Sequence, residues 1–101
     1  MASFRVYIEN EAKVEVRSLP GHVRQRVSRA IRALADEARP PGSRPLEVEG
    51  LAAEVRRLQI DRWRVIYTVD SDWQEVVVYA VRKRPPYNYG DLVSLLRSAT
   101  R

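Results

Sequence analysis

The chain has no cysteine and only one histidine, His22, among its 101 residues. The missing cysteines exclude disulfides, thiolate catalysis and cysteine-based zinc sites. A single histidine excludes a histidine cluster, and its place at the start of a predicted helix is more typical of a solvated side chain than of a catalytic one. We therefore expect a protein that uses no metal and no other cofactor.

Long apolar runs are also missing. No stretch approaches the roughly 20 apolar residues that a membrane-spanning helix needs. The first six residues, Met-Ala-Ser-Phe-Arg-Val, do not begin an apolar run of signal-peptide length. The sequence therefore predicts a cytoplasmic protein that has no membrane partner.

Lysine is scarce as well, because Lys13 and Lys83 are the only two, and arginine carries nearly all the positive charge of a chain with net charge +5. Arginine matches the geometry of phosphate, which favours an anionic partner. An arginine-rich coding bias or heat adaptation would leave the same trace. With 45% hydrophobic and 31% charged residues, the composition is that of one folded domain over residues 1–101.

The first half of the sequence predicts a strand followed by two helices. Phe4, Val6 and Ile8 alternate as on one face of a strand. Asn10 is expected to cap a short helix that Pro20-Gly21 ends. Residues 22–38 then carry a continuous apolar stripe at helical spacing, which predicts an amphipathic helix. Its polar face holds four arginines: Arg24, Arg26, Arg29 and Arg32.

The second half predicts three strands. Residues 39–45 are rich in proline and glycine and are expected to form a loop. Beyond them the hydrophobic period changes from 3.6 to 2, over segments 54–60, 62–69 and 75–81. Asp61-Arg62 and Asp70-Ser71-Asp72 are expected to be the turns between them. Leucines at 92–96 suggest a short C-terminal helix.

The predicted fold class is α+β: a small antiparallel sheet with an N-terminal strand, two N-terminal helices on one face and a short C-terminal helix. Strand alternation then assigns the faces. If Leu58 and Val65 face the helices, Arg57 and Arg64 project from the opposite face, which we expect to be uncovered. Two arginines on adjacent strands would make that face cationic.

The segment VRKRPPYNYGDL, residues 81–92, combines cations, prolines and tyrosines at the end of an apolar strand. Arginines can stabilise the charge that develops on a phosphorane. A tyrosine can transfer a proton or stack on an unpaired base. Lys83 stands between Arg82 and Arg84, whose like charge favours the neutral form that a general base needs. These groups could cleave RNA through its 2′-OH without a metal, although solvated arginines and packed tyrosines would give the same pattern.

Two blocks, RLQIDRWRVIYTVD at 57–70 and VVVYAVRKRPPY at 76–87, resemble the RelE/ParE superfamily of toxins from type II toxin–antitoxin systems. The resemblance spans nearly the whole chain and implies a twisted antiparallel sheet with two helices on one side. RelE-like members are ribosome-dependent messenger RNA endonucleases. ParE-like members inhibit DNA gyrase instead and lack the nuclease residues.

The resemblance also implies roles for individual residues. Arg64 matches the arginine that stabilises the scissile phosphate, and Arg84 matches the arginine after the last strand. Arg57 matches a basic residue of the second strand, and Lys83 holds a position of histidine or lysine. Tyr87 and Tyr89 straddle the place of the family's acid tyrosine, and Pro85-Pro86 favours Tyr87. Val55 and Gln59 depart from the pattern, because they stand where some members have a lysine and a second arginine.

The sequence thus predicts a toxin that cuts messenger RNA on the ribosome and that a cognate antitoxin inhibits. The antitoxin would place a helix across an apolar groove or displace the C-terminal helix. The expected catalytic residues are Arg57, Arg64, Lys83, Arg84 and Tyr87, and the expected RNA-binding residues are Arg82 and Tyr89. Two other readings remain open: a ParE-like inhibitor of gyrase, and an RNA-binding module without catalysis.

Overall fold

The computed structural model describes residues 3–48 and 50–83, together with Ser94 and Leu96. The chain begins with one strand and two helices: β1 (Arg5–Ile8), α1 (Asn10–Arg17) and α2 (Gly21–Ala33). Four strands follow: β2 (Ser43–Pro45), β3 (Glu54–Ile60), β4 (Trp63–Asp70) and β5 (Glu75–Lys83). No helix in these ranges is long and apolar enough to cross a membrane.

The five strands form one sheet in the order β1-β5-β4-β3-β2. β2, β3, β4 and β5 pair antiparallel, as the short connections between the last three require. β1 lies parallel to β5, with Arg5 opposite Glu75 and Ile8 opposite Val78. The first strand of the chain therefore pairs with the last, which confirms the α+β architecture and adds one parallel pair to it.

Both helices pack on one face of the sheet, called here the helix face. Val27 and Ile31 of α2 are almost fully buried against Leu58, Val65 and Val78 of the strands. Leu34 and Ala38, which follow α2, are also buried in this core. The apolar stripe predicted for residues 22–38 is thus correct, but the helix ends at Ala33 and the chain turns while the stripe continues.

The opposite face, called the outer face, was expected to be uncovered, and over its middle that expectation is wrong. Val55, Ile66, Tyr79 and Ala80 form a second buried cluster there, together with Leu96. Leu46, Val48 and Leu51 pack against its rim. The cause is the sequence of β5, which is apolar on both faces and would leave valine and tyrosine in water if nothing covered them.

A network of charged side chains ties the segment after α2 to the sheet. Arg39 donates two hydrogen bonds to the carboxylate of Glu54, at 2.7 and 2.9 Å, and one to Ser71 Oγ. Arg56 donates to the same carboxylate and to Ser43 Oγ. The hydrogen bond from Arg39 holds the pKa of Glu54 below its ordinary value, and Glu54 raises the pKa of Arg39.

Two local predictions need correction, and a third falls mostly outside the described residues. Ser43–Pro45, expected within a loop, forms the edge strand β2, where its proline is tolerated because an edge needs no donor on its outer side. Asn10 is the first helical residue and not the cap, a position that Glu9 holds without a side-chain hydrogen bond. Ser94 and Leu96 are helical, whereas the rest of the predicted C-terminal helix lies outside the described residues.

Candidate nucleic-acid interface

Four polar residues occupy neighbouring positions on the outer face, beside the turn that joins β3 to β4. The register places Gln59 opposite Arg64, and Arg64 opposite Arg82, in one row across three strands. Arg57 lies two residues before Gln59 on the same face. Residues directly opposite each other in antiparallel strands have Cβ atoms about 5 Å apart. These four residues, Arg57, Gln59, Arg64 and Arg82, are called the basic patch.

Arg64, a member of the basic patch, is held in place by the hairpin turn beside it. It is only 7% exposed, and its Nη1 donates to the carbonyl oxygens of Asp61 and Trp63, at 2.9 and 3.0 Å. Asp61 has φ of 53°, so the tight turn it begins aims its carbonyl back toward β4. The turn therefore fixes the guanidinium before any ligand arrives, which lowers the entropic cost of binding an anion.

Arg82 is held by a residue of α1 and not by the hairpin turn. Its Nε donates to Glu15 Oε2 of α1 at 2.8 Å, and both side chains are mostly buried. Like charges directly opposite in a sheet repel each other, and Glu15 offsets part of the repulsion between Arg64 and Arg82. Arg57 is half-buried and Gln59 is exposed. The structure thus brings together three of the arginines that the sequence singled out.

Lys83 is placed differently. It follows Arg82 on β5 and pairs with Trp63, so alternation assigns it to the helix side of the sheet, where it is exposed. Arg57 and Arg64 lie on the other side. The remaining predicted site residues, Arg84, Tyr87 and Tyr89, lie outside the described residues.

Two further tyrosines, Tyr67 and Tyr79, are buried in the packed clusters on the two faces of the sheet. Tyr67 is fully buried on the helix face and donates to the carbonyl oxygen of Ala38 at 2.8 Å. Tyr79 is 6% exposed within the outer-face cluster. Burial raises the pKa of both phenols, because the charged form would lose its hydration. Neither side chain is suited to proton transfer at the surface.

The two departures from the superfamily pattern also have clear positions. Val55 is 3% exposed and belongs to the outer-face cluster, so an apolar contact replaces a cation there. Gln59 is exposed next to Arg64 and offers an amide where some relatives carry charge. The basic patch therefore has three arginines and one neutral hydrogen-bonding group.

Sequence reasoning missed Glu15, the acidic partner of Arg82. It lies between two valines on a short helix, and no spacing or motif links it to a residue 67 positions away. The contact depends on α1 lying beside β5, which follows from the parallel pairing of β1 and β5. Only the topology of the fold brings the two residues together.

Residues 6–85 match the family described as the ParE toxin of the type II toxin–antitoxin system parDE. A search of the curated proteins finds no matching sequence.

Solved structures also resemble the fold. The archaeal RelE–RelB complex from Pyrococcus horikoshii contains a chain with a TM-score of 0.73 and 23% identity, over 84% of this chain and 99% of that one. The RelBE complex from Mycobacterium tuberculosis gives 0.69 and 20%, over 81% and 99%. A double-arginine mutant of E. coli RelE in the free state gives 0.68 and 17%, over the full length of both chains. At these identities the likeness concerns the fold, and the family match carries the assignment: the chain belongs to the ParE toxin family of type II toxin–antitoxin systems, within the RelE/ParE superfamily.

Proposed function

We propose that this toxin cuts messenger RNA on the ribosome by attack of the ribose 2′-OH on the adjacent phosphate. The observation that supports this most is the state of Arg64, which is buried, fixed by two carbonyl oxygens and flanked by Arg82 and Gln59. A preorganised cation of this kind stabilises charge that develops in a transition state, because it does not have to reorient during the reaction.

In this mechanism the 2′-oxygen loses its proton as it bonds to phosphorus, and the 5′-oxygen leaves and gains a proton. Arg64 and Arg84 would neutralise the equatorial oxygens of the phosphorane, and Arg57 would assist them. Lys83, on the helix side at the end of β5, would have to reach around the strand end to take the 2′ proton, and Tyr87 would protonate the leaving oxygen. Arg82 and Tyr89 would hold the flanking nucleotides. The products would be a 2′,3′-cyclic phosphate and a 5′-hydroxyl.

The partners in this proposal are the ribosome, the messenger RNA and a cognate antitoxin. The solved relatives include toxin–antitoxin complexes, which supports the last of these. Two surfaces are candidates for binding the predicted inhibitory helix. One is the outer-face site where Leu96 packs. The other is a groove of about 600 Å³ between α2 and the β3–β4 turn, lined by Ala30, Leu58 and Ile60 together with Arg26 and Asp61.

The test is to induce the toxin with and without its antitoxin and to map messenger RNA 5′ ends. New ends carrying a 5′-hydroxyl, absent when the antitoxin is present, are the expected result. Ends carrying a 5′-phosphate would reject the metal-free mechanism. Cleavage of a defined message on purified ribosomes, followed by mapping of the new 5′ end, then gives the position of the cut relative to the decoding site.

A second function, inhibition of DNA gyrase without nuclease activity, is favoured by two observations. The family match is to ParE toxins, and Val55 is buried at a position where the resemblance places a lysine in some nuclease members. This proposal predicts growth arrest with no new messenger RNA ends. A supercoiling assay with purified gyrase and toxin separates the two functions, since loss of supercoiling activity is expected only from the second.

A further inference from the structure

The edge of β5 is left partly open by its neighbour. β1 pairs with β5 only from Glu75 to Val78, while β5 continues to Lys83. The last hydrogen bond between these two chain segments runs from the amide of Glu9 to the carbonyl of Val78, at 2.9 Å. The carbonyl of Glu9 cannot extend the ladder further without competition, because it accepts from the amide of Lys13 within α1.

Beyond Val78, the side chain of Glu15 supplies a hydrogen-bond acceptor to this edge of β5. Its Oε1 accepts a hydrogen bond from the amide of Val81 at 2.9 Å, in the place where a further β1 carbonyl would stand. Its Oε2 accepts from Nε of Arg82 at 2.8 Å. One carboxylate therefore fixes both the main chain and a side chain at the end of β5, in a setting that is mostly screened from water.

The contact of Glu15 with Val81 and Arg82 lies next to the basic patch, so it can affect the geometry of the patch. Arg82 stands opposite Arg64 in the basic patch, and residue 84 follows two positions later in the sequence. A small change in the path of β5 at Val81 would therefore shift a cation of the patch relative to Arg64. Misplacement by about 1 Å is enough to cost a large factor in the rate of a catalysed reaction.

We propose that Glu15 is a positioning residue: it holds the end of β5 and Arg82 in register with Arg64 and thereby sets the geometry of the basic patch. The proposal rests on the nuclease function for its effect on rate, while its structural part stands independently. Glu15 itself touches no substrate in this scheme and acts through Val81 and Arg82.

The experiment compares the wild type with Glu15→Ala, Glu15→Gln and the control Glu11→Ala, an exposed acid in the first turn of the same helix. Amide hydrogen exchange at Val81, measured by NMR on the full chain, reports the ladder hydrogen bond directly. We expect Glu15→Ala to accelerate exchange at Val81 by about tenfold or more, and Glu15→Gln to restore most of the protection, because its amide oxygen can still accept. Glu11→Ala should leave Val81 unchanged.

Cleavage kinetics on programmed ribosomes give the second readout. Glu15→Ala should lower kcat by about tenfold with little change in KM, and Glu15→Gln should recover part of the loss. Unchanged exchange at Val81 would overturn the proposal, as would equal acceleration at every core amide, which indicates general loss of stability. A change in KM alone would also overturn it. If the wild type cuts no RNA, the nuclease function fails, and Val81 exchange together with growth arrest by each variant still decides the role of Glu15.

Discussion

Arg64 is the single side chain on which the proposed chemistry depends most. Arg64→Ala removes a fixed cation from the centre of the basic patch and leaves two turn carbonyls without their donor. We expect it to lower kcat for messenger RNA cleavage by about 100-fold or more. It should also lower the free energy of unfolding by about 1–3 kcal/mol, because a nearly buried hydrogen-bonded group is lost. Single-turnover cleavage and urea denaturation measure the two effects.

The matched control is Arg62→Ala, since Arg62 is an exposed arginine of the same turn. It removes the same charge from the chain and should change cleavage less than threefold. Equal losses in the two variants would mean that net charge, and not the geometry of Arg64, governs activity.

Glu54 gives a prediction for the dependence of stability on pH. Its pKa lies below the ordinary value of 4.5 in the folded state because Arg39 and Arg56 donate to its carboxylate. A depressed pKa adds stability above the unfolded value, and that stability is lost as the pH falls through the folded value. Glu54→Gln should therefore lower the free energy of unfolding by about 1 kcal/mol near neutral pH.

The difference between wild type and Glu54→Gln should shrink once the pH falls below 4.5, where the unfolded carboxyl is already protonated. Urea titrations from neutral to acid pH measure it. A difference that stays constant down to pH 3, or grows in acid, would contradict the assignment of Glu54 as the charged partner of Arg39.

At the scale of elements, the β3–β4 hairpin depends on the conformation of Asp61. Its φ of 53° lies in the left-handed region, where a β-branched residue is strained. Asp61→Val should lower the free energy of unfolding by about 1–3 kcal/mol. Asp61→Asn tolerates the same φ and loses only the ion pair with Arg26, so its cost should stay below about 1 kcal/mol. Urea denaturation of both variants checks the order; equal costs would locate the effect in the ion pair.

This hairpin also illustrates what the sequence could predict. Alternation in two adjacent segments located the turn at Asp61-Arg62 correctly and assigned Leu58 and Val65 to the helix face. Arg57 and Arg64 were therefore placed on the right face of the sheet. The same logic could not find β2, because three residues that include a proline carry no periodic signal and pair only through the tertiary fold.

The outer face shows a different limit. Val77 and Tyr79 already indicated that β5 is apolar on both faces, yet an uncovered surface was expected next to it. Periodicity reports which residues need burial and does not report what buries them. Sequence patterns also cannot predict the contacts of Glu15 with Val81 and Arg82, because these contacts form only when β1 pairs with β5 in parallel.

At the scale of the whole molecule, Leu96 joins the chain end to the outer face. It is fully buried among Val55, Ile66, Tyr79 and Ala80. Leu96→Ala should lower the free energy of unfolding by about 2–4 kcal/mol, because it opens a cavity in a packed cluster. Ser94→Ala, at an exposed helical position nearby, should change it by less than about 0.5 kcal/mol. Thermal and urea unfolding compare the two, and equal effects would show that Leu96 contributes no specific packing.

Because β1 pairs with β5, the last strand of the sheet in chain order, the sheet can be completed only late in folding. Arg5 and Glu75 are neighbours in space, although they lie 70 positions apart in the chain. Contacts of such separation make folding slow, because a long loop must close before they stabilise anything. During synthesis β1, α1 and α2 leave the ribosome before β5, so the β1–β5 pair and the contact of Glu15 with Arg82 can form only after β5 has emerged. The basic patch is thus assembled only once β5 is in place, and a nascent fragment that lacks β5 cannot acquire its geometry.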